Sequence, residues 1–209
     1  PFGLGIKIKQ LYLDRVNLNI LGHQIGWQEF NSGAQMRFDQ LTLTPTRLVG
    51  ARLSLAADSR SSSSQASVTQ TEAANTTLVL PNVWIPLKVI IQDLTVLDFK
   101  MADPEVEVQR AHLAGFAKGN DIEVEQFELS MPEIELELSG EAKLKDSYPL
   151  SIHALAEIKQ TLLAGQSIAL EADGSVANLT LSTRFRKQIV ADIDANLKPL
   201  DPNLPFEIE

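Results

Sequence analysis

The chain has 209 residues, 44% of them apolar, with 18 Lys and Arg against 27 Asp and Glu, for a net charge of −9. Its length and apolar share exclude a disordered chain and allow a full-sized core. The acidic balance argues against a nucleic-acid partner, and the absence of cysteine excludes a disulfide scaffold, a thiolate zinc site and a thiol nucleophile.

In chain order, Pro1-Phe2-Gly3-Leu4 lacks the basic start and long apolar stretch of a signal peptide. No run of 18 apolar residues occurs, so no helix is predicted to span a membrane. Alternation with period two then dominates, which predicts β-strands with one apolar face. Leu11 and Leu13 are odd, whereas Val16, Leu18 and Ile20 are even. A phase change of one residue predicts a bulge or tight turn within a strand. Ala57–Thr77, with Ser61-Ser62-Ser63-Ser64, reads as a flexible linker or long loop. Val83, Ile85, Leu87, Val89 and Ile91 form the next apolar row. Ile122 and Val124 give way to Phe127, Leu129 and Met131, a second phase change. Ile134, Leu136 and Leu138 alternate with Glu133, Glu135 and Glu137. Ala154 to Ala164 suggests a turn or two of helix stopped by Gly165. Leu179 and Leu181, then Ile189, Ala191, Ile193, Ala195 and Leu197, alternate with polar residues. The last residues, Leu204 to Glu209, read as the start of a further strand, so both ends are expected to be cuts in something longer.

The chain also resembles itself. Phe38 to Leu43 aligns on Val124 to Leu129, and Leu48 on Ile134, at an offset of 86. Gln10-Leu11 aligns on Asp93-Leu94, and Val16 and Leu18 on Phe99 and Met101, at an offset of 83. The pattern predicts β-repeat units over 1–56, 78–145 and 146–209, the third incomplete, around the Ser-rich segment 57–77.

Residues for chemistry are scarce. His23, His112 and His153 are far apart and form no HxxxH pair. Gly3-Leu4-Gly5 is not followed by a third glycine at Ile8, as a dinucleotide loop requires. Glu133, Glu135 and Glu137 share a strand face, as do Asp192 and Asp194, and such rows read as solvated faces rather than metal sites. No enzyme, metal or cofactor is therefore expected. Residues 1–60 carry +3 and residues 61–209 carry −12, which reads as a solvated outer face.

The apolar rows fit either a β-sandwich core or one long curved sheet lining a groove. Recurrent phase changes and only 6% aromatic residues favour the groove. An open apolar trough suits acyl chains. Each methylene left in water costs roughly 0.8 kcal/mol, so a diacyl lipid with about 28 of them costs roughly 20 kcal/mol to carry through water.

Three stretches carry a family resemblance: Phe38 to Gly50, Leu80-Pro81-Asn82-Val83-Trp84-Ile85-Pro86-Leu87, and Gly140 to Ile152. Their order and spacing resemble the N-terminal region of the TamB family, within the AsmA-like group. The resemblance implies an all-β, elongated, taco-shaped β-groove of repeated β-meanders with an apolar interior. It further implies the periplasmic portion of an inner-membrane-anchored protein of Gram-negative bacteria. Such proteins work with a TamA outer-membrane barrel, through parts absent here, in phospholipid transport and outer-membrane protein assembly. No catalytic residue carries over. Candidate groove-lining residues are Leu41, Leu43, Val83, Ile85, Leu87, Val89, Ile91, Ile134, Leu136, Leu138, Leu179, Leu181, Ile189 and Ile193, in contact with phospholipid acyl chains. A chaperone-like scaffold that pairs outer-membrane strands along a sheet edge, and a plain spacer, remain alternatives. The chain is expected to be monomeric.

Overall fold

The computed structural model describes residues 5–20, 23–55, 81–102, 104–160, 162–200 and 206–208. The Ser-rich stretch Ala57–Thr77 lies outside them. The described residues form one mixed sheet of 14 strands and no helix. Strand β1 is Ile6–Ile20 and β2 is His23–Arg37. Next come three short strands, β3 (Gln40–Leu43), β4 (Thr46–Val49) and β5 (Arg52–Ser54). Then come β6 (Ile85–Ala102), β7 (Glu105–Gly119), β8 (Asp121–Ser130), β9 (Ile134–Lys143) and β10 (Pro149–Ile158). The sheet ends with β11 (Ser167–Ser175), β12 (Asn178–Arg186), β13 (Ala191–Leu197) and β14 (Phe206–Ile208).

Neighbours in sequence are mostly neighbours in space and antiparallel, so the fold is a meander. One join differs. β3, β4 and β5 together act as a single broken strand, antiparallel to β2 on one side and parallel to β6 on the other. Its ladder survives the breaks: the Gly50 N–H donates to the Leu97 carbonyl and the Lys100 N–H to the Ala51 carbonyl, both at 2.9 Å. A parallel pair needs a return crossover. Leu53 pairs with Met101, whereas β6 begins at Ile85, so the chain must retrace roughly 50 Å of strand. That requirement explains why a long segment sits between β5 and β6.

The phase changes have a common origin. In β1 the register with β2 shifts between Ile8 and Leu11, and Arg15 has φ 46°. In β6 the register with β7 shifts between Ile91 and Leu94, and Asp98 has φ 53°. Both features recur 83 residues apart, so the upstream half of the internal repeat is a repeat in backbone geometry. Between them, in register, lies Gly50 with φ 63°. Arg15, Gln28, Gly50, Asp98 and Gln109 therefore form a line across five strands. On either side of it the apolar alternation restarts one residue out of phase. The rings of Trp27 and Phe30, three residues apart on β2, lie 6.5 Å apart, which puts both on one side of the strand.

Gly50 carries this seam. A Cβ there meets the Gln28 side chain at 2.6 Å, on a backbone conformation that L residues avoid. Gly50→Val is expected to cost about 2 kcal/mol. A urea unfolding midpoint lowered at unchanged slope checks this.

Three sequence expectations need correction. The proposed helix over Ala154–Ala164 is strand β10 and the turn that follows: Ala154 and Ala156 pair on both sides, with β9 and β11, Ile158 pairs with β9, and sheet pairing overrides helix propensity. Val83 precedes β6 rather than joining its row, its N–H donating to the Leu144 carbonyl at 3.1 Å. At the offset of 86, Phe38-Asp39 form the turn before β3, whereas Val124-Glu125 lie mid-strand at a register shift. The downstream half thus aligns sequences that are not equivalent in the sheet. The shift between Val124 and Phe127 itself falls where the alternation changes phase.

Candidate functional site: one apolar face across eleven strands

Paired residues on adjacent strands share a sheet face, so register reveals which side chains form continuous rows. One row runs Ile6, Met36, Leu41, Val89, Ala117, Ile122, Ala142, Leu150, Gly174, Leu179 and Leu197, from β1 to β13. The second includes Ile8, Ala34, Leu43, Ile91, Val124, Ile152, Ala172 and Leu181. The third passes through Leu94, Leu113, Phe127, Leu138, Ala154, Leu170, Thr183 and Ile193. A fourth holds Val96, Ala111, Leu129, Leu136, Ala156, Ile168, Phe185 and Ala191. Each crosses the strands at right angles and so runs along the long axis. At about 4.8 Å per strand, the first row spans roughly 48 Å.

The opposite face reads differently. Glu123, Glu141, Ser151, Asp173, Thr180 and Asn196 form one of its rows. Ion pairs such as Lys143–Asp121 at 3.8 Å and Arg184–Glu171 at 3.7 Å join adjacent strands. Its apolar members are partly covered: the Lys88 ammonium sits 4.4 Å from the centre of the Phe116 ring.

The apolar face has little cover among the described residues. The buried hydrophobic residues are Ala51, Val108, Ala114 and Ala172. Leu, Ile and Val side chains along the rows are half-buried, and those of β1 are mostly exposed, with Ile6 at 68%. Two packed sheets would bury such side chains outright. Each half-exposed Leu or Ile forgoes on the order of 1 kcal/mol of transfer free energy. One polar step interrupts the third row, where the Ser32 and Thr46 hydroxyls bond each other at 2.8 Å.

Of the sequence candidates, Leu41, Val89 and Leu179 fall on the first row, and Leu43, Ile91 and Leu181 on the second. Leu138 and Ile193 fall on the third and Leu136 on the fourth. Ile134 pairs with Ile158, one step beyond. Ile85 lies opposite Gly119, and Leu87 sits in the irregular register between Ile85 and Val89. Val83 precedes the strand, and Ile189 lies in the turn between β12 and β13. Reasoning from sequence missed Met36, Phe127, Leu150, Ile168 and Phe185, whose alternation was visible but whose phase relative to other strands was not.

That turn is held by Gln166, whose side chain is 1% exposed. Its Nε2 donates to the carbonyls of Arg186 at 2.8 Å, Ser167 at 3.0 Å and Ile189 at 3.1 Å. Its Oε1 accepts from the Ile189 N–H at 2.7 Å. Beside it, a hydrogen bond from Arg186 holds the Asp192 carboxyl below the usual carboxylate range.

Beyond the seam, at the last residues of β1, β5 and β6 and the first of β2 and β7, lies a hollow of about 800 Å³. Leu18, Ile25, Leu53, Met101 and Val106 line it, with Arg52, Lys100, Glu105 and Glu107. Among the described residues, no group of three or more His, Cys, Asp or Glu is placed to hold a metal. No helix among them is long and apolar enough to cross a membrane.

Comparison with curated proteins and with solved structures returns no match. A family model does match, that of the TamB N-terminal domain, over residues 2–209. An all-β sheet whose repeats lay apolar rows along its length, matched end to end by that model, places the chain in the TamB family.

Proposed function

We propose that this chain is a lipid-conducting segment: its apolar face carries phospholipid acyl chains along the sheet axis, between inner and outer membrane. The observation that carries the reading is the continuity of the four rows with so little over them. A bilayer core of about 30 Å holds two acyl chains end to end, so a row of roughly 48 Å accommodates about three. An acyl chain laid along the rows recovers the transfer free energy that the half-exposed side chains forgo. The TamB family supports a periplasmic setting for such a conduit, and a role in outer-membrane protein assembly alongside a TamA barrel. The chemistry needs no catalytic residue.

Native mass spectrometry of the purified chain, with lipid analysis of an organic extract, tests this. Phospholipid that co-purifies and is lost in Leu136→Glu is the expected result. A folded, lipid-free chain would count against the conduit.

A second reading has its own observation. β1 is an edge of 15 residues with no strand on its outer side among the described residues. Such an edge accepts a further strand by β-augmentation, as a chaperone-like scaffold for outer-membrane strands requires. The two readings separate in one assay: a β1 proline such as Leu11→Pro should abolish strand capture and spare lipid binding.

A further inference from the structure

The open edge of β1 has an occupied counterpart in the same sheet. β1 and β6 are equivalent strands 83 residues apart: the register shift at Ile8/Leu11 recurs at Ile91/Leu94, and the left-handed Arg15 recurs at Asp98. Each has a 15-residue antiparallel neighbour on one side, β2 or β7. They differ on the other side. β6 is covered there by β3–β5, running parallel, whereas β1 has no neighbour there among the described residues. Exposure follows that difference. Ile6, Ile8, Leu11, Leu13 and Leu18 are exposed, while their counterparts Val89, Ile91, Leu94, Val96 and Met101 are half-buried.

The edge is also selective. A bulge and a left-handed residue turn an edge away from a regular strand. β3–β5 follows β6 through both irregularities because it breaks where they fall: Thr44-Pro45 lies opposite Gln92-Asp93, and Gly50 lies opposite Asp98. The Gly50 N–H then donates to the Leu97 carbonyl, and the Lys100 N–H to the Ala51 carbonyl, both at 2.9 Å. The equivalent groups on β1 are the Asp14 carbonyl and the Asn17 N–H. A strand without the breaks, or without glycine at the second of them, does not match that profile.

We propose that the outer edge of β1 is a docking site for one strand of a further unit of this repeat, running parallel to β1, broken as β3–β5 is, and carrying a glycine opposite Arg15. The proposal rests on the second reading above only in that this edge accepts a strand. It adds the direction, the breaks and the residue required.

A synthetic peptide of residues 39–54, which holds the β3–β5 sequence, is the probe. Added to the full chain labelled with nitrogen-15, with a nitroxide at the peptide's N-terminus, it should broaden the amide signals of Ile6 to Ile8 most. A nitroxide at its C-terminus should instead broaden those of Leu18 to Ile20. The same peptide with Gly50→Val should bind roughly tenfold more weakly. Valine is the better strand former, so capture of any strand through its backbone gives equal or tighter binding of the valine peptide.

Reversed broadening, from an antiparallel peptide, overturns the inference and leaves the edge-capture reading standing. Equal or tighter binding of the valine peptide does the same. Broadening centred on Val89 to Ile91 overturns the inference, because the peptide would then have displaced β3–β5. A chain that dimerises through β1 gives the edge to a second copy and overturns it as well. A chain that binds neither peptide yet binds an unbroken strand of alternating apolar residues keeps the edge-capture reading and loses the inference. One that binds none of the three loses both.

Discussion

Val89→Asp should abolish lipid transfer while leaving the sheet intact. Val89 sits on the first row, on the longest strand, paired with Leu41 on one side and Ala117 on the other. An acyl chain moving along that row has to pass the new carboxylate. A charge in a hydrocarbon environment costs about 3 kcal/mol on insertion scales, which corresponds to roughly a hundredfold in rate or affinity. The fold should tolerate it because the position is only half-buried, so the carboxylate keeps water contact when no lipid is present. A fluorescent-lipid transfer assay between donor and acceptor vesicles reads the loss, and circular dichroism checks the sheet. Thr180→Asp, on the polar face, is the control and should transfer normally. Full transfer by folded Val89→Asp would remove the conduit reading.

The largest stability effect is expected at Gln166. Replacing it with Leu keeps the bulk but removes three donated bonds and one accepted bond. The Arg186 carbonyl and the Ile189 N–H would lose their Gln166 partner in a place the side chain itself shields from water. Leaving two or three such groups unsatisfied costs about 3 kcal/mol or more. Urea unfolding should show the drop. Hydrogen exchange should localise it to the turn between β12 and β13 and the chain leading into β11. Gln166→Glu should be no milder: it keeps the acceptor for Ile189 but sets a buried carboxyl oxygen against the carbonyls to which Nε2 donates. A Gln166→Leu chain as stable as the parent would mean that this clamp does not hold the turn.

Much of the sheet was legible as period two, because a single-layer sheet with one wet face writes its pleat directly into the sequence. Leu41, Leu43, Leu136, Leu138, Leu179 and Leu181 were found that way. The parts that escaped depend on relations between strands. Phe127 is on the apolar face only because the register shifts after Val124, and alternation within β8 alone does not tell which phase its neighbours share. The Ala-rich stretch of β10 mimics a helix because alanine is a strong helix former, and only pairing on both sides decides otherwise. Arg52 carries no local pattern. Its setting comes from a parallel partner 48 residues away, Lys100.

That parallel join also sets how the chain reaches its fold. Everything before it closes by hairpin steps between successive strands, and so does everything after it. Such local closures have low contact order and proceed quickly. The β3–β5 to β6 ladder alone waits on a loop of nearly fifty residues, whose ends must meet before any of its bonds forms. The two meanders should therefore form first, each presenting a bare edge, and the ladder between them should form last and limit the rate. A chain paused at that stage exposes two long unpaired edges of its own, which makes this join the step most open to misassembly with a second copy.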